Sequence, residues 1–161
     1  MPLVREIQDK LTTKEQSNIP LAIYYNVNRN NLDISLELLD KMSDQIDAYK
    51  QALTEKQISF KSFFQWFRTV EDLENERFRD NNNYVDQHLE AVRSSIYMLL
   101  GKDTFKDLRI RRQPLRMTIK KDNNELIINQ LSDGEKALLA LVGDLTRRLA
   151  ICYATQRERS S

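Results

Sequence analysis

Asn129-Gln130-Leu131-Ser132-Asp133-Gly134-Glu135-Lys136, running into Ala137-Leu138-Leu139-Ala140-Leu141-Val142, is the stretch on which the reading of this chain turns. Locally it starts a helix. Ser132 is a good N-cap and Glu135 follows three residues later, the spacing of a capping box. Leu138, Leu141, Leu145, Leu149 and Cys152 then recur at steps of three and four. That periodicity predicts one apolar stripe packed into a core. Arg147 and Arg148 fall toward the later turns, where cations suit the helix dipole.

Gly134 does not fit a plain capped helix. In the first turn it costs roughly 1 kcal/mol relative to Ala. What it offers is a backbone that another group can approach closely. The unpaired N–H groups and the dipole make this end a place for an anion, and Ser132 adds a hydroxyl.

With those residues in view, Leu131-Ser132-Asp133-Gly134-Glu135-Lys136 resembles the signature motif of ABC-class ATPases in its SMC/RecF-like form. The resemblance implies that Ser132 and Gly134 reach the γ-phosphate of ATP held by an opposite subunit, with Lys136 close by. Further stretches are similar to one subgroup, the AAA/ABC-type ATP-binding proteins found near bacterial anti-phage systems of the Septu and retron kind. They are Tyr24–Arg29 with Leu32-Asp33-Ile34, Phe63–Phe67 with Glu71–Glu76, Leu108–Arg112, and Gly143–Ala150. The likeness covers roughly residues 20 to 151.

The chain has 161 residues, enough for one domain with a core, and 40% are hydrophobic against 30% charged. Three glycines and three prolines exclude long Gly-rich loops, and a net charge of +1 selects no partner. The single Cys152 forms no internal disulfide and suits a reducing cytoplasm. No apolar run approaches membrane-spanning length, and the N-terminus lacks a signal-peptide core, so no membrane partner is expected.

Along the chain, Leu3 to Lys14 reads as a short amphipathic helix. Leu21-Ala22-Ile23-Tyr24-Tyr25 reads as a buried strand between Pro20 and Asn26. Arg29 follows in an Asn-rich turn; a surface role is the simpler account, but strand ends often hold ligands. Leu32 to Ile58 is helical, and Ser59 caps a run carrying Phe60, Phe63, Phe64, Trp66 and Phe67. Aromatics at helical steps suit a core better than a stacking platform for bases. Glu71 to Asp80 holds five carboxylates against two arginines, a net −3. A solvated helix face explains it more simply than a cation site. Val85 to Leu100 is helical again. His88, the only histidine, has no partner in a metal-ligand pattern, so no metal is expected.

After Gly101 the period changes from helical to two. Leu108–Arg111, Leu115–Lys120 and Glu125–Ile128 alternate, separated by Pro114 and by Asp122-Asn123-Asn124. They predict an antiparallel hairpin or meander with one apolar face. The other face is basic. Lys106, Arg109, Arg111, Arg112, Arg116, Lys120 and Lys121 stand against Asp107 alone, a net +6. Such segregation suits nucleotide phosphates or a nucleic-acid backbone; the competing account is a solvated face bridged to the acidic helix.

A P-loop, G-x-x-x-x-G-K-[ST], is absent, and so is a Walker B strand ending in Asp-Glu. Leu141-Val142-Gly143-Asp144 is the only lookalike and lies on the signature helix. The expectation is an α+β domain, predominantly helical, with a small antiparallel sheet leading into a C-terminal signature helix. It is a single domain over 1–161: a helical part over about 1–101, hairpin and signature helix over about 105–155, and a disordered tail over 156–161. Its expected role is the signature lobe of an SMC/RecF-like ATPase, without ATPase activity or a cofactor of its own. ATP and Mg would enter only with a P-loop-bearing partner or through self-association. The alternative, from a truncated or free-standing gene, is a non-enzymatic interaction module, with nucleic acid as a candidate partner of the basic strands.

Overall fold

The computed structural model describes residues 21–25 and 60–158, with side chains to 152. Arg29, the helices expected at 3–14 and 32–58, and Ser59 as a cap lie outside the described residues. What is described is α+β and helix-dominated: three helices and one small antiparallel sheet. In chain order these are α1 (Phe60–Asp80), α2 (Gln87–Leu100), β1 (Phe105–Arg112), β2 (Leu115–Lys121), β3 (Asn124–Ile127), a short 3-10 turn (Ile128–Gln130) and α3 (Asp133–Glu158).

The aromatic run at the start of α1 is core. Phe60, Phe63, Phe64 and Phe67 are buried, and the rings of Phe60, Phe63 and Phe67 meet edge to face at 5.8 and 5.7 Å, a favoured aromatic geometry. Leu89, Val92 and Ile96 add the inner face of α2. Asp86, rather than Val85, starts that helix: its carboxylate accepts the N–H groups of His88 and Leu89, both at 3.0 Å. Leu99 faces solvent, while Leu100 packs on the core.

The sheet has the order β1-β2-β3, both pairs antiparallel. Leu108, Ile110, Met117 and Ile119 form its inner face. Asp122 and Asn123 both have positive φ, 49° and 68°. Those are the two left-handed positions of a tight hairpin; the turn expected over Asp122–Asn124 is thus confined to Asp122 and Asn123, and Asn124 opens β3. Asp107, at φ 62°, sits where the β1–β2 register slips between Lys106 and Arg109, a bulge that re-aims neighbouring side chains.

Two expectations need correction. Leu21–Tyr25 is not a strand and pairs with none among the described residues; Leu21, Ile23 and Tyr25 are half-buried and the residues between them exposed. Its period of two is real, but it rests on α3 through side chains, with Tyr25 donating to Asp144 Oδ2 at 3.1 Å. The second correction is the roll of α3. Its buried residues are Leu139, Ala140, Val142, Gly143, Asp144, Arg147, Arg148, Ala150 and Ile151. Leu145 and Leu149 are each 37% exposed. Leu145 and Leu149 therefore turn outward, while Leu138 and Cys152 of the same stripe pack against the core as expected, and Arg147 and Arg148 are buried mid-helix instead of fringing its C-terminus. The cause is local. Gly143 lets α3 lie hard against Phe63, and Asp144 supplies the charge that both arginines need. The helix also runs on to Glu158, past the expected end at 155.

Candidate functional site

Ser132 precedes the first residue of α3 and builds the capping box that its sequence implies. The Ser132 N–H donates to Glu135 Oε2 at 2.9 Å, and the Ser132 hydroxyl donates to the same oxygen at 2.9 Å. In return that hydroxyl accepts the Glu135 N–H at 3.3 Å. The Lys136 N–H is taken by the Ser132 carbonyl at 2.9 Å. Of the first-turn donors, the N–H groups of Asp133 and Gly134 are left pointing out of the helix end.

Glu135 is tied to the sheet as well. Lys121, at the end of β2, donates to its Oε1 at 2.6 Å and stands 5.5 Å from the centre of the Phe105 ring. The Lys121 bond, with the Ser132 contacts behind it, holds the Glu135 carboxyl below its usual range. Lys136 pairs with Asp133 at 2.8 Å, across a surface where Asp133 is fully exposed. Gly134 is exposed, and a Cβ built on it would meet nothing within 4 Å. Ser132, Gly134 and Lys136 thus share one open helix end, with two lysines and two carboxylates around it.

The basic strands are arranged differently from a free cationic face. Arg111 makes a two-pronged pair with Glu125 at 2.8 and 2.6 Å. Arg109 and Lys120 both hold Asp107, and Arg112 bridges to Glu71 and Asp72 on α1. With Lys121 on Glu135, five of the seven cations are ion-paired; Lys106 and Arg116 have no partner among the described residues. The hydrogen bonds from Arg109 and Lys120 hold the Asp107 carboxyl at about 2, and that from Arg111 does the same for Glu125. The bridging account of this face, including the link to the acidic helix, is the observed one.

Sequence reasoning passed over the most connected carboxylate. Glu71 is 4% exposed and accepts the Ile110 N–H of β1 at 3.3 and 3.1 Å. Arg93 and Arg112 close on it from α2 and β1 at 3.4 and 3.3 Å. Burial raises its pKa, and the Ile110 N–H and the two guanidiniums pull it back. Beside it the Tyr97 hydroxyl accepts the Leu108 N–H at 2.6 Å. Two outward-facing N–H groups of edge strand β1 are thereby satisfied from the helices. A cleft of about 490 Å³ opens here, lined by Glu71, Arg93, Tyr97, Asp107, Arg109 and Arg111 among others, and its guanidiniums are already committed to carboxylates.

Also missed was the knot inside α3. Asp144 accepts Arg147 Nη2 at 3.0 Å, Arg148 Nε at 2.7 Å and the Tyr25 hydroxyl. Its spacing of three and four from the arginines is a readable helical ion-pair signal. Among the described residues no group of His, Cys, Asp and Glu could hold a metal ion, and no helix is long and apolar enough to cross a membrane.

No protein-family model matches the chain. Over 83% of its length it is 27% identical to the Escherichia coli protein named retron Ec83 probable ATPase, and the match covers 35% of that protein. Over 82% of its length it is 29% identical to the retron Vc95 probable ATPase of Vibrio cholerae serotype O1 biovar El Tor, covering 34%. By sequence, then, the chain is similar to about a third of the length of two proteins named as retron probable ATPases.

Proposed function

We propose that this chain is the signature-bearing part of a retron-associated, SMC/RecF-like ABC ATPase, presenting Ser132 and Gly134 to ATP held by a P-loop-bearing chain. The observation that carries the reading is the open backbone at Gly134. A first-turn glycine with empty space where its side chain would be leaves two N–H groups approachable by a phosphate. The names of the two relatives supply the nucleotide. Binding would pass the Ser132 hydroxyl hydrogen from Glu135 to a phosphate oxygen, while Glu135 kept the Ser132 N–H and Lys121. Lys136 sits close enough to add charge. The chain alone hydrolyses nothing, because neither P-loop nor Walker B is present. ATP as ligand and a single cysteine, Cys152, suit the cytoplasm.

The test is paired. Gly134→Ala should leave the isolated chain as stable or slightly more so, yet weaken its ATP-dependent association with a P-loop-bearing ATPase. Unimpaired association would refute the phosphate role and leave an interaction module. The chain alone should show neither ATPase activity nor a thermal shift with Mg-ATP. Nucleic acid as the partner of the basic strands is the weaker reading, since most of those cations are already neutralised.

A further inference from the structure

Lys121 sits where all three strands meet. It pairs with Phe105 of β1 on one side and with Asn124 of β3 on the other, and the tight turn at Asp122 and Asn123 follows directly. Its ammonium stands over the Phe105 ring, 5.5 Å from the centre, and reaches across to Glu135 in the first turn of α3. Paired backbone and aromatic ring together fix one cation beside the helix end. Glu135 divides its oxygens around that cation. Oε1 takes Lys121 at 2.6 Å, while Oε2 takes both the N–H and the hydroxyl of Ser132 at 2.9 Å. Without Lys121, this carboxylate would be an anion already seated at the positive end of its own helix. It would repel an incoming phosphate and hold the Ser132 hydroxyl hydrogen with its whole charge. Asp133, the other acid here, is paired with Lys136.

We infer that Lys121 is a positioning residue for the phosphate site: acting through Glu135, it neutralises the helix end and keeps the Ser132 hydroxyl transferable to a phosphate oxygen. The inference rests on the proposed function and adds the residue that governs its readiness. It also gives the small sheet a task, because the three strands place the ammonium. Lys121 lies 14 positions before Glu135 in sequence and outside the Leu131–Lys136 stretch, so only the fold brings it to the site. The Lys121 bond is the first cause of the lowered Glu135 carboxyl, which agrees with the geometry.

The test is a double-mutant cycle on ATP-dependent association, with the full-length retron Ec83 probable ATPase and Mg-ATP as the probe. Lys121→Met should weaken association by roughly fivefold, the scale of one hydrogen bond, and Lys121→Arg should retain it. With Glu135→Gln already in place, Lys121→Met should change association less than about twofold, because no charge is left for the lysine to neutralise. In the chain alone, the Glu135 carboxyl, followed by NMR, should titrate higher in Lys121→Met than in the wild type. If Lys121→Met unfolds the chain, as read by far-ultraviolet circular dichroism, Lys121→Gln takes its place throughout. Equal losses in both Glu135 backgrounds overturn the inference and leave the phosphate reading standing, since a lysine that only covers Phe105 weakens either alike. An unmoved Glu135 titration, or a loss in Lys121→Arg as large as in Lys121→Met, overturns it as well. Failure of the wild type to associate with ATP present overturns both.

Discussion

Gly143 lies flat against the ring of Phe63: a Cβ built on the glycine would stand 2.9 Å from two carbons of that ring. Real side chains do not come so close, so α1 and α3 meet at a distance only glycine permits. Gly143→Ala should cost about 1–3 kcal/mol, the usual range for overpacking. Phe63→Leu in the same chain should recover part of it. Chemical denaturation of the two single variants and the double variant measures the coupling; strictly additive losses would contradict this contact.

Glu71 gives a second prediction. Glu71→Ala strands the Ile110 N–H in the interior and removes one partner each from Arg93 and Arg112, which keep Glu74 and Asp72. The expected loss is about 1–3 kcal/mol, the cost of an unsatisfied buried donor. Amide exchange should quicken at Ile110 before it does on β2. Uniform acceleration across the sheet would argue that Glu71 supports the whole fold instead of one edge.

Acid should act through Asp107. Its carboxyl is held at about 2 by Arg109 and Lys120, below its ordinary value near 3.8. A folded pKa that is depressed adds stability above the unfolded pKa, and that stability is lost as pH falls through the folded one. The wild-type melting temperature should therefore fall between about pH 4 and pH 2 more steeply than that of Asp107→Asn. Parallel curves would remove Asp107 from the account. Glu71 works in the opposite sense, since burial raises its pKa: its ionisation weighs against folding as pH rises.

Pairing on the basic strands limits what they can do with DNA. Of the seven strand cations, Lys106 and Arg116 are the two without partners among the described residues, so any duplex binding by this face should release few counterions. A plot of log affinity against log salt should be no steeper than about −2. Arg116→Gln should reduce the slope by about 1. A slope near −6, read by fluorescence anisotropy, would mean that the ion pairs open for DNA.

Local signals were legible and relational ones were not. The capping box at Ser132 and Glu135, the tight turn at Asp122-Asn123 and the aromatic core of α1 all follow from residues a few positions apart. The roll of α3 did not. Counting leucines put Leu145 and Leu149 inside, because hydrophobic periodicity cannot weigh a glycine that admits Phe63 or an aspartate that neutralises two arginines. Glu71 looked like one more surface acid because its partners lie in α2 and β1, 22 to 41 residues away in sequence. The strand expected at Leu21–Tyr25 was not found, although its period of two in burial was legible. Pairing, however, belongs to a sheet whose β1 edge is met by Glu71 and Tyr97.

That sealed edge gives the sheet a direction. With Leu108 and Ile110 already donating to Tyr97 and Glu71, a strand arriving at β1 would first have to evict a tyrosine and a buried carboxylate. Strand exchange or fibril templating is therefore disfavoured at that stretch of the edge. Growth of the sheet by another strand is left to the far margin, beyond β3.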